Sequence, residues 1–132
     1  MHRLLVANRG EIALRIVRTA REIGLETVAV CAPEDQELAD GYGADIVVPL
    51  SGRGASAYLD IDALIRIASE NKCDSIHPGY GFLSENADLA QACVEASVLF
   101  VGPPPDVLRL FGDKAEARRL ASESGVPVVP GI

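Results

Sequence analysis

The sequence predicts an α/β fold: a doubly wound, mainly parallel five-stranded sheet with helices on both faces. Three observations carry the prediction. Short apolar runs alternate with longer stretches of helical period, the connections between them are short, and Gly, Pro and Asn punctuate the joins. Right-handed crossovers leave few topologies, and the expected strand order is 3-2-1-4-5.

The first strand is Leu4-Leu5-Val6-Ala7, apolar throughout as suits a strand buried on both faces. After the turn Asn8-Arg9-Gly10, Ile12, Ile16, Ala20 and Ile23 recur at three- and four-residue steps, which predicts a helix over 11–23 stopped by Gly24. Thr27-Val28-Ala29-Val30-Cys31 is the second strand, and Pro33-Glu34-Asp35 opens a short helix with acids near its positive end. Asp45-Ile46-Val47-Val48-Pro49 is the third strand, followed by a polar, flexible loop over 51–56. Asp60 caps a helix whose inner face is Ile61, Leu64, Ile65 and Ala68. The fourth strand runs from about Cys73 to His77. A helix capped from Ser84-Glu85-Asn86 should turn Leu89, Ala90, Cys93 and Val94 inward, and the fifth strand occupies 97–101. Beyond Pro105 the pattern becomes one or two helical turns over 106–111, Gly112-Asp113-Lys114, a helix through Ala117, Leu120 and Ala121, and an extended apolar end over 126–131.

At 132 residues the chain fits one core, and 48% hydrophobic with 23% charged residues is ordinary for a globular protein. A formal net charge of −7 argues against nucleic acid and against an anionic membrane surface as partners. No apolar run approaches a membrane span. Cys31, Cys73 and Cys93 form neither a zinc pattern nor a disulfide framework, which suits a reducing, cytoplasmic-type compartment or its organellar equivalent.

The first strand–helix turn holds one glycine where a dinucleotide binder places three, so a dehydrogenase fingerprint is missing. His77 has no nucleophile partner by sequence, and Ser84 lacks a nucleophile elbow. Helix capping accounts for Asp60, Asp62, Asp74 and Glu85 more simply than a metal site does. From spacing alone His77-Pro78-Gly79-Tyr80-Gly81-Phe82 is a plain turn that buries Tyr80 and Phe82. By the same standard Lys114 is a solvated first-turn lysine, although its position after Gly-Asp also suits a phosphate.

Taken in order, several blocks resemble the start of biotin carboxylase as found in biotin-dependent carboxylases. They are Leu5-Val6-Ala7-Asn8-Arg9-Gly10-Glu11-Ile12-Ala13-Leu14-Arg15-Ile16, Tyr58-Leu59-Asp60-Ile61, the run over 77–86, Phe100-Val101-Gly102-Pro103, Gly112-Asp113-Lys114, and Gly125-Val126-Pro127-Val128-Val129-Pro130-Gly131. The resemblance implies a Rossmann-like (pre-ATP-grasp) N-terminal domain over 1–105, with a helical segment over 106–132 leading toward an ATP-grasp domain. It implies an enzyme that uses ATP, Mg²⁺ and bicarbonate to carboxylate biotin on a carrier protein. Its partners would be the ATP-grasp and C-terminal domains, the biotin carboxyl carrier, the carboxyltransferase and a possible second copy in a homodimer. The implied compartment is the cytoplasm or the mitochondrial matrix.

Residue by residue, Lys114 matches a lysine that contacts ATP phosphates, and Tyr80, Gly81 and Phe82 match the loop bordering the biotin pocket. Arg18 and Glu22 match first-helix positions at a dimer interface, although their spacing of four also suits an intrahelical pair, the simpler expectation. The family's magnesium, bicarbonate and main catalytic residues correspond to positions beyond Ile132, so no catalytic or metal-binding residue is assigned and the isolated chain is expected to be inactive. Cys31-Ala32-Pro33-Glu34, Gly41-Tyr42-Gly43-Ala44-Asp45 and the loop from Pro49 to Ser56 depart from the family pattern and leave the acyl acceptor open. Two other readings are a stand-alone Rossmann-like assembly module and the front domain of another ATP-grasp ligase, such as a carbamoyl-phosphate synthase relative; the run over 77–86 argues against the latter.

Overall fold

The apolar runs form the strands β1 (Arg3–Val6), β2 (Glu26–Cys31), β3 (Ile46–Pro49), β4 (Ser75–His77) and β5 (Leu99–Phe100) in a computed structural model that describes residues 1–131. All pairings are parallel, in the order β3-β2-β1-β4-β5, as the alternation of elements predicts. Val6 pairs with Ala29 on one side and with His77 on the other, so β1 is the central strand.

Alternation along β1 sends Leu4 and Val6 to one face and Leu5 and Ala7 to the other, and two separate cores result. On the first face, α1 (Gly10–Glu22) sets Ala13, Val17 and Ala20 against Leu4, Val6 and Ala29, with α2 (Gln36–Asp40) adding Ala39. On the second, α3 (Ile61–Glu70) and α4 (Ala87–Glu95) contribute Leu64, Ile67, Ala68, Leu89, Ala90 and Cys93. Beside α1, the edge toward β4 and β5 leaves an open groove of about 580 Å³ lined by Leu4, Ile12, Ile16, Tyr80 and Val101.

The caps follow the sequence. The Asp60 carboxylate accepts from Ala63 N at 3.0 Å, and Asn86 Oδ1 accepts from Asp88 N at 2.9 Å and Leu89 N at 3.1 Å. Two expectations are corrected. Val94 is exposed (61%), because Leu89, Ala90 and Cys93 already fill the inner stripe of α4 and Val94 falls beyond its rim. The segment read as a polar loop over 51–56 runs into a 3₁₀ turn, Ala55–Leu59, that buries Ala57 and Tyr58. Nothing periodic announces that turn, since two adjacent buried residues rather than a stripe hold it down. At the end of the chain α5 (Pro105–Gly112) packs on α4 and α6 (Lys114–Glu123) packs on α5, and neither contains a buried residue.

Candidate functional site

The order 3-2-1-4-5 reverses direction between β1 and β4, the switch point at which open α/β sheets leave a crevice at their carboxyl edge. Here that crevice is bridged. Asn8, the second residue past β1 and wholly buried, donates from Nδ2 to Pro78 O at 2.8 Å and to Tyr80 O at 3.0 Å. Its Oδ1 accepts from Arg9 N at 2.8 Å. Both amide hydrogens are therefore spent on the loop after β4, and the amide oxygen on the turn after β1.

The loop itself takes a conformation that little but outside support would hold. Gly79 has φ +70°, Gly81 φ +68° and Phe82 φ +42°. A left-handed non-glycine residue costs about 1–2 kcal/mol. At Gly79 a Cβ would lie 2.6 Å from Asn8 Nδ2 and 2.7 Å from Ile12 Cγ2, so glycine is required for the close approach as well as for the backbone angle. Gly79 N donates to His77 Nδ1 at 3.0 Å, which makes that nitrogen the unprotonated one, and burial lowers the His77 pKa. The N–H groups of Tyr80, Gly81 and Phe82 meet no acceptor among the described residues.

An aromatic and charged layer supports the loop from the β2 side. The Phe82 ring stacks on Tyr58 with centroids 5.3 Å apart and planes inclined by 28°. The Arg9 guanidinium stands 5.6 Å from the Phe82 centroid and 5.7 Å from that of Tyr58, within cation–π range of both, and pairs with Asp35 at 3.5 Å. Tyr58 OH donates to Asp35 Oδ2 at 2.6 Å and accepts from Ala32 N at 3.0 Å. Burial first, and then the bond to Asp35, push the Tyr58 pKa strongly upward, so Tyr58 is a neutral structural donor. Tyr42 OH accepts from Gly10 N at 2.7 Å at the start of α1.

The structure brings Tyr80, Gly81 and Phe82 together but does not bury them as a plain turn would. Tyr80 is 71% exposed, standing over the groove beside α1, and Phe82 is half-buried. Lys114 is exposed at the first position of α6, outside this hydrogen-bonded cluster, and pairs with no carboxylate among the described residues. Arg18 and Glu22 are both exposed on α1 and form no ion pair with each other, which corrects the intrahelical expectation. With the cation N-terminal to the acid, the spacing has the weaker of its two orientations. The described residues gather no group of three His, Cys, Asp or Glu side chains placed to hold a metal.

Asn8, Asp35, Tyr42 and Tyr58 were not singled out as site residues from the sequence. Asn8 offered a signal, a polar residue at the end of an apolar strand, but its partners lie about seventy residues away. Asp35 looks like a helix-start acid and is one, while also gripping Arg9 and Tyr58. Tyr42 and Tyr58 sit in irregular segments where no period marks burial.

Comparison with known proteins finds relatives both in sequence and in fold. Residues 1–108 match the family model described as biotin carboxylase, N-terminal domain. Human mitochondrial pyruvate carboxylase is 52% identical over 132 residues, covering 98% of this chain and 11% of the relative, so the chain spans about a tenth of the length of such curated relatives. Among solved structures, the biotin carboxylase domain of a single-chain bacterial carboxylase superposes with a TM-score of 0.95 at 56% identity, covering 100% of this chain and 31% of that one. A single-chain, multi-domain long-chain acyl-CoA carboxylase gives 0.93 at 53% identity, covering 98% of this chain and 13% of that one.

Proposed function

The chain belongs to the biotin carboxylase N-terminal domain family, and on that premise we propose that it forms one wall of the active site of an ATP-dependent biotin carboxylase. The reaction would consume ATP and bicarbonate and carboxylate biotin on a carrier. ATP-grasp and C-terminal portions would complete the site, and a carboxyltransferase would receive the product. The observation that carries this reading is the loop over 79–82, which presents the exposed Tyr80 ring beside three backbone N–H groups that meet no acceptor among the described residues. A flat, polar ureido ring asks for that combination: a face to lie against and donors for its carbonyl oxygen.

In this role Tyr80, Gly81 and Phe82 border the biotin pocket and Lys114 supplies a mobile positive charge for ATP phosphates. The exposed ammonium of Lys114, which pairs with no carboxylate among the described residues, fits an anionic ligand. Among the described residues no group of three His, Cys, Asp or Glu side chains is placed to hold a metal, so none is assigned to Mg²⁺ and no step is routed through it. The chain's contribution is to orient biotin and neutralise phosphate charge, while the bond-making groups come from the other portions. Residues 1–105 would form the domain proper and 106–132 the lead into the ATP-grasp portion. Arg18 and Glu22, exposed and unpaired with each other, are left for a contact with a second copy. Three free cysteines suit a reducing compartment, the cytoplasm or mitochondrial matrix.

The test mixes the chain with purified ATP-grasp and C-terminal portions of a biotin carboxylase and measures bicarbonate-dependent ATP hydrolysis with and without free biotin. We expect stimulation by biotin only in the mixture. Tyr80→Ala should raise KM for biotin and Lys114→Ala should raise KM for ATP, each about tenfold or more, the scale of one lost charge-assisted or stacking contact. A mixture that biotin never stimulates would overturn the proposal, and stimulation indifferent to both substitutions would overturn the residue assignments.

A further inference from the structure

We propose that Asn8 is the positioning residue of the biotin-pocket loop, setting recognition of biotin from the opposite side of the β1/β4 crevice. The inference rests on the function proposed above and adds to it a residue outside the loop. Three features of the structure carry it. Asn8 is wholly buried and its three hydrogen bonds are divided between the two edges of the crevice: Pro78 O and Tyr80 O on one, Arg9 N on the other. The segment it grips contains three left-handed residues in four, Gly79, Gly81 and Phe82, so the direction in which Tyr80 leaves the backbone depends on an external anchor. Gly79 lies so close to Asn8 Nδ2 that no side chain fits between them, which makes the grip tight as well as polar.

The same amide connects the loop to Arg9. Asn8 Oδ1 orients the Arg9 backbone, and the Arg9 guanidinium covers the Phe82 and Tyr58 rings. Loss of the Asn8 donors would therefore release the loop at 78 and 80 while leaving its far end stacked at Phe82. Tyr80 would swing about that stacked end, and the unpartnered N–H groups would lose their common direction. An aspartate at position 8 keeps the size and the acceptor toward Arg9 but replaces both donors by a carboxylate oxygen facing two carbonyls. It removes the grip with the least change in volume.

The experiment uses the complemented assembly described above. Asn8→Asp should raise KM for biotin about tenfold or more while KM for ATP moves less than about twofold, a split that general loss of fold would not produce. In a Tyr80→Ala background the same substitution should raise KM for biotin by a smaller factor than it does alone, because the share of its effect that acts through the ring is already spent. Should the Asn8→Asp assembly fail to form, Gly79→Ala provides the second variant, since its Cβ pushes the loop off Asn8 from the other side, and the same split is expected. Equal effects on both KM values, or full additivity with Tyr80→Ala, would overturn the positioning role. A wild-type assembly without any response to biotin would instead overturn the proposed function, and the inference with it.

Discussion

Residues 78–82 rest on a buried amide, a stacked ring pair and the Arg9–Asp35 ion pair, whereas α5 and α6 contain no fully buried residue: α5 packs on α4 with Leu108 partly buried against the core, and α6 packs on α5. Both regions carry proposed ligand contacts, Tyr80 in the first and Lys114 in the second. A planar ring must be met face-on by groups whose directions are fixed, so its wall is built into the core. A phosphate charge can be met by an ammonium on a flexible stem, and such a group tolerates a loosely seated helix. The difference is in how much geometry each ligand requires.

The largest effect that would break this comparison is at Tyr58. Tyr58→Ala should cost about 3–5 kcal/mol of stability, the range for truncating a buried aromatic residue. Tyr58→Phe keeps the stacking on Phe82 but leaves Ala32 N without its acceptor and should cost about 1–3 kcal/mol. Urea unfolding followed by far-ultraviolet circular dichroism measures both. A cost under about 1 kcal/mol for Tyr58→Ala would mean that the layer beneath the loop does not hold it.

A smaller effect separates the regions by pH. Burial lowers the His77 pKa below its ordinary 6.5, so across the window from 6.5 down to the folded value the unfolded chain binds a proton that the folded chain does not. The stability that His77 contributes is thus present above pH 6.5 and falls as the pH drops through that window. Protonation also converts Nδ1 from the acceptor of Gly79 N–H into a donor facing it. His77→Asn retains an acceptor close to that position without a titration. Unfolding free energies of the two proteins should therefore diverge between pH 7.5 and pH 5.5, the wild type falling faster. Parallel curves would show that His77 is not poised in this way.

The fold was legible because it is written in local periods. Ile12, Ile16 and Ala20 announce α1, Leu64 and Ala68 announce α3, and the runs at 4–7 and 27–31 announce central strands. The loop at 77–86 and Lys114 stood out as motifs through a family resemblance, not through their own spacing. The support beneath the loop was not legible, for a physical reason. Asn8, Asp35, Tyr42 and Tyr58 reach across separations of twenty-three to seventy-two residues along the chain, through single hydrogen bonds and ring contacts that leave no periodic trace. Val94 was misplaced for the opposite reason, since a period was present but the stripe was already full.

The smallest expected effect concerns Lys114 and is the sharpest test of the contrast. A lysine at the first position of a helix faces the positive end of the backbone dipole, where acids are favoured, so its location carries a local cost. Asp113 does the structural work at that end, with Oδ1 accepting from Ala115 N at 2.9 Å and Glu116 N at 3.1 Å. Asp113→Ala should accordingly lose about 1 kcal/mol of stability. Lys114→Ala should leave stability unchanged or raise it by about 0.3–1 kcal/mol, because it removes a misplaced charge and introduces a better helix former. Thermal unfolding of the two variants side by side decides the point. A clear loss of stability in Lys114→Ala would make the lysine a structural residue, and the looser region of the molecule would then owe its ammonium to folding and not to a ligand.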